Sequence, residues 1–129
     1  MAIRRVITGH DEKNQAVVTE DGHATNIKTP YEGAVSSLIW VTDSMPAGIT
    51  SDEDMGARNI GTPPPPDGTR FCIHEIQPGA AGAPEDIRQL HRTHTIDYVI
   101  VIQGTLLMML DEDDVALNQG DVVIMRGTN

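Results

Sequence analysis

Ile96-Asp97-Tyr98-Val99-Ile100-Val101-Ile102-Gln103-Gly104-Thr105-Leu106-Leu107-Met108-Met109-Leu110 is the stretch on which the fold turns. Its first half is rich in β-branched side chains and ends at a Gln-Gly punctuation. A second apolar run begins at once beyond the glycine. That pattern predicts strands over 96–102 and 105–110, joined as a tight hairpin. Working outward toward the C-terminus, Asp111-Glu112-Asp113-Asp114 reads as an acidic, solvated turn, without the spacing or terminal Glu of a calcium loop. Residues 115–117 then read as a short strand, Asn118-Gln119-Gly120-Asp121 as a turn, and 122–125 as a last strand.

Toward the N-terminus, residues 82–89 read as a polar loop. Arg70-Phe71-Cys72-Ile73-His74-Glu75-Ile76 alternates as a strand should and stops at Pro78-Gly79. Residues 34–41 and 16–19 read as two further strands, both able to lie at a sheet edge. Residues 43–69 hold Pro46, Gly48, Gly56, Gly61, four consecutive prolines from Pro63 to Pro66, and Gly68, which exclude a helix or an inner strand. This is a long surface loop, of the kind that serves as a lid, a binding loop or a subunit-contact arm. No helix is expected after residue 30. The class is therefore all-β, and closely spaced short strands point to a sandwich or barrel.

The 129 residues fit one domain. Within it, 1–33 form an N-terminal strand and arm, 43–69 the Pro/Gly-rich loop, and 70–129 the strands that carry the motifs below. Aromatic residues are only 3% of the chain, so a core must rest on Val, Ile, Leu, Met and Ala. A net charge of -10 opposes binding to nucleic acid or to an anionic membrane, because such binding needs Lys and Arg to neutralise phosphates. One cysteine, Cys72, excludes an intramolecular disulfide and a cysteine-only metal cluster, and with the lack of a long apolar run makes cytoplasm the expected location.

Two segments then carry a resemblance: His91-Arg-Thr-His94-Thr-Ile-Asp97-Tyr-Val-Ile-Val-Ile-Gln-Gly104, and Gly120-Asp121-Val-Val-Ile-Met-Arg-Gly-Thr. They are similar to the two motifs of the cupin superfamily. The first motif looks like G-x5-H-x-H-x3/4-E-x6-G, and the second begins G-D and runs through a turn to a third histidine. The resemblance covers about residues 70–129. It implies a double-stranded β-helix, or jelly-roll barrel, commonly paired as a homodimer. In the family's pattern a histidine directly follows the position of Asn129, so the chain reads as ending just before it, with the last strands of the barrel beyond that point.

The resemblance also implies a divalent metal, Fe, Mn, Ni, Cu or Zn, held by histidines and a carboxylate with positions open to substrate. Counting back from Gly104, the acidic position falls on Asp97 and the first histidine position on His91, so these two are the expected metal ligands. The second histidine position falls on Thr93. His94 stands one residue away, and on a strand that turns a side chain to the opposite face. His94 and His74 are the candidates for catalytic proton transfer. Arg126, whose fork suits a carboxylate, and Tyr98 are the candidates for substrate contact. Cys72 has no flanking base and reads as packing. Two functions follow: a metal-dependent dioxygenase, isomerase, decarboxylase or hydrolase acting on a small molecule, or a barrel that holds a small ligand, without a metal, and does not turn it over.

Overall fold

The computed structural model describes residues 1–80 and 92–128, so the loop expected at 82–89 and the candidate ligand His91 lie outside the described residues. Among the described residues all regular structure is strand, apart from one 3-10 turn at Met55–Ala57, and no helix is long and apolar enough to cross a membrane. The chain divides into two compact units, Met1–Ala81 and Gly82–Asn129.

In the first unit, β1 (Arg4–His10) and β2 (Ala16–His23) form an antiparallel hairpin whose register shifts between Ile7 and Thr8. Residues 4–10 were hidden by their sequence, because Arg4, Arg5 and His10 interrupt any apolar run. Pairing to β2 and a bidentate Arg4–Asp21 contact at 2.7 Å hold them extended instead. β3 (Ile27–Lys28), β4 (Ala34–Thr42) and β5 (Thr69–Ile76) make a three-stranded antiparallel sheet in that order. β4 is thus the middle strand, not an edge. It has no charged residue, and Ala34, Ser36, Ser37, Leu38 and Val41 are buried, which suits a strand flanked on both sides.

The loop between β4 and β5 is strapped down. Asp54 caps the 3-10 turn by accepting from the Gly56 amide at 2.9 Å, and both its oxygens take Arg5 at 2.6 and 2.7 Å. Arg5 is buried and also donates to Glu20 at 2.9 Å and to the Ile39 carbonyl at 3.2 Å. A Cβ at Gly56 would run into the Arg5 guanidinium and the Ile39 carbonyl, so the turn needs glycine there. Arg58 bridges Glu53 at 2.7 Å and Asp43 at 2.6 Å, and Asn26 and Lys28 donate to loop carbonyls.

In the second unit, β6 (Ile96–Ile100) pairs with β9 (Val122–Arg126), and β7 (Thr105–Met109) pairs with β8 (Asp114–Asn118), all antiparallel. The hairpin expected between 96–102 and 105–110 does not form. The Val101 amide donates to the Asp121 carbonyl at 3.0 Å and the Val101 carbonyl accepts from the Gly120 amide at 2.8 Å, so the β9 side already occupies this edge. Gly104, at φ +80°, then turns the chain into a different two-stranded pair. The sequence located both strands and misassigned their partners.

Candidate functional site

In the second unit the approach to β6 carries a short hydroxyl relay. Thr93 and Thr95 hydroxyls lie 2.9 Å apart, and the Thr95 hydroxyl donates to Asp97 Oδ1 at 2.7 Å. Asp97 is half-buried and sits opposite Met125 of β9. The position where the motif expects its second histidine is thus a threonine tied, through Thr95, to the acidic position. His94 is exposed, as is Arg126, which lies opposite Ile96. Tyr98 follows Asp97 on the strand and so takes the other face, opposite Ile124, with 74% of its surface exposed.

In the first unit, cross-strand register aligns Lys28 with Ser36 and Ser36 with His74, while Leu38 faces Cys72. Arg70, Cys72, His74 and Ile76 alternate onto one side of β5. His74 is exposed, yet protein crowding around the ring pushes its pKa down, and the positive charge of Arg70 acts in the same direction. Cys72 is half-buried, and burial raises its pKa against the opposing effects of Arg70, the Ser36 hydrogen bond and Lys28. A thiol held protonated is a weak nucleophile, which agrees with packing. Sequence reasoning passed over Arg70 and Lys28. Arg70 stands two residues before Cys72 and was visible by strand alternation, but the two-residue β3 that brings in Lys28 has no sequence signal of its own.

Among the described residues no group of three or more His, Cys, Asp or Glu side chains is placed to hold a metal ion. Of the two expected ligands, Asp97 is a carboxylate oriented by Thr95 through Oδ1, and His91 lies outside the described residues.

No protein-family model matches the chain. Similarity to individual proteins does extend over nearly all of it. A phomopsin biosynthesis cluster protein, C′, of Diaporthe leptostromiformis is 32% identical over 137 residues, covering 97% of this chain and 67% of that protein. A cupin-domain-containing oxidoreductase of Aspergillus ruber is 30% identical over 130 residues, with 96% of this chain and 60% of that protein covered. Another from Neurospora crassa is 27% identical over 130 residues, with 98% and 63% covered. With its all-strand architecture and its two motif segments, the chain is an all-β protein of the jelly-roll cupin class. It belongs to the cupin superfamily. It spans roughly two thirds or less of the length of these relatives.

Proposed function

We propose that this chain is the single cupin domain of a small-molecule oxidoreductase. The observation that carries the reading is its similarity, at 27–30% identity over 96–98% of the chain, to three proteins named cupin-domain-containing oxidoreductases. In this reading His91 and Asp97 are the ligands of a divalent metal, Fe, Mn, Ni, Cu or Zn, and His94 moves protons; Arg126 and Tyr98, which share the other face of the β6–β9 ribbon from Asp97, and His74, in the first unit, are not assigned to that site. The half-buried Asp97, oriented by Thr95, supports the acidic member of that set. A cytoplasmic homodimer is part of the same proposal, and sedimentation velocity tests the dimer.

The test has two arms. Elemental analysis of untagged protein never exposed to chelator should find near-stoichiometric metal that is lost in both His91→Ala and Asp97→Asn. Incubation with a panel of small oxygenated compounds, followed by mass spectrometry, should find a product altered in hydrogen or oxygen content. A metal-free protein that binds panel members without altering them would overturn the proposal. It would favour a second reading, a barrel that binds a small ligand without turnover. That reading draws on one observation: Thr93, its hydroxyl 2.9 Å from that of Thr95, stands where the motif expects its second histidine.

A further inference from the structure

On the side of the β3–β4–β5 sheet that carries Lys28, Ser36 and His74, positive charge is gathered, and among the described residues no carboxylate pairs with it. Asn26, Lys28, Ser36, Leu38, Ile60 and Arg70 line a notch of about 10 Å³ there. That is room for about one water-sized atom. Arg70 is half-buried, and its Nε is enclosed without a hydrogen-bond partner. Arg5 Nε is enclosed without a partner as well, but Arg4, Arg5 and Arg58 each hold carboxylates at 2.6–2.9 Å, which Arg70 does not. Lys28 Nζ donates only to the Ile60 carbonyl, at 2.9 Å, and neither Lys28 nor Arg70 has an ion pair among the described residues.

The neighbouring strands offer no counter-charge. β3 and β4 contain no Asp or Glu, and the one carboxylate of β5, Glu75, alternates to the opposite side and takes the N-terminal ammonium at 2.7 Å. In a chain with 19 acidic and 9 basic side chains, two cations lining one notch without a carboxylate partner among the described residues are a departure from what charge balance supplies. An enclosed N–H with no acceptor is also unfavourable until something accepts from it.

We propose that this notch binds the carboxylate of a small organic acid, with Arg70 and Lys28 as its cationic partners. The enclosed Arg70 Nε–H can donate to one carboxylate oxygen, and a bond between charged partners is stronger than a neutral one. The notch admits one carboxylate oxygen, with the rest of the acid lying outside it, so what separates such an acid from phosphate is the apolar surface beside the cations. Leu38 and Ile60 flank the cations, so the acid carries an apolar body, aliphatic or aromatic. A ligand held here need not be turned over, so the site stands whether or not the oxidoreductase reading does.

The experiment is an NMR titration of the full-length, isotope-labelled protein with benzoate, following the Arg70 Nε–H and the Cys72 and His74 amides. Benzamide and inorganic phosphate serve as controls. Benzoate should shift these signals saturably, with a Kd on the order of 1 mM. Arg70→Gln should weaken binding roughly tenfold or more and Lys28→Gln a few-fold, because each removes one charge-assisted contact. Lys28 is exposed, so its variant carries the test if Arg70→Gln does not fold. Absence of a saturable shift, unchanged affinity in the variants, or an equal response to benzamide or phosphate would overturn the proposal. None of these outcomes depends on metal content or on product formation.

Discussion

The two units, Met1–Ala81 and Gly82–Asn129, are made of the same material, short antiparallel strands, and differ in what those strands enclose. In the first, Ala24, Ala34, Leu38 and Val41 are buried, together with Arg5, Ser36 and Ser37. In the second, Val101 and Leu117 are the buried apolar residues among those described, while Ile96, Tyr98, Ile100, Val122 and Ile124 keep 59–74% of their surface. The second unit is the more aliphatic by sequence and the less enclosed. Aliphatic content does not make a core by itself. A three-stranded sheet has a middle strand with neighbours on both sides, and a two-stranded ribbon has none.

The largest test of this contrast is the polar anchor of the first unit. Arg5→Met leaves Asp54 and Glu20 without their cation and should lower stability by about 2–4 kcal/mol, the upper part of the range being reduced because both carboxylates remain partly solvated. Urea unfolding followed by Trp40, the single tryptophan, reads it as a midpoint shift at constant slope. A change within about 0.5 kcal/mol would reduce the anchor to a surface ion pair. Next is Val41→Ala, at the one fully buried aliphatic position among the described residues, with an expected loss of about 2 kcal/mol in the same assay.

A smaller effect concerns pH. His74 has its pKa lowered in the folded protein, so between that value and its ordinary 6.5 the unfolded chain binds more protons. Stability should therefore rise with pH across that window and fall on acidification through it. His74→Gln should flatten the slope there, and an unchanged slope would assign it to other groups. Asp54, held below its ordinary 3.8 by Arg5, adds a second decline at lower pH that Arg5→Met should remove. The smallest effect is expected from Tyr98→Ser, under about 0.5 kcal/mol for so exposed a residue. A loss above about 1 kcal/mol that grows with protein concentration would mean that a second copy covers this face in solution.

Strand existence was legible in the sequence and strand partnership was not. β4, β5 and β6 announce themselves by β-branched runs and turn residues, and β7, β8 and β9 by apolar runs between turns. Pairing is fixed by edges that local pattern does not encode, which is why Gly104 reads as a hairpin and acts as a corner. β1 escaped notice because its stabilising contacts come from Asp21, Glu20 and Asp54, far along the chain. The motif spacing led to Asp97, and its tether to Thr95 could have been suspected from Thr-x-Asp. The Arg70–Lys28 notch could not, since it exists only once β3 and β5 flank β4.

The Arg5–Asp54 link also bears on the order in which the chain can become structured during synthesis. Arg5 and Asp54 are 49 residues apart, whereas Glu20 follows Arg5 by only 15. A chain growing from its N-terminus can close β1 on β2, with Glu20 as an interim partner for the guanidinium, long before the final one has been made. The first hairpin is therefore provisional at birth. It becomes permanent when the polar loop arrives, which gives that loop the role of a latch on a hairpin made before it.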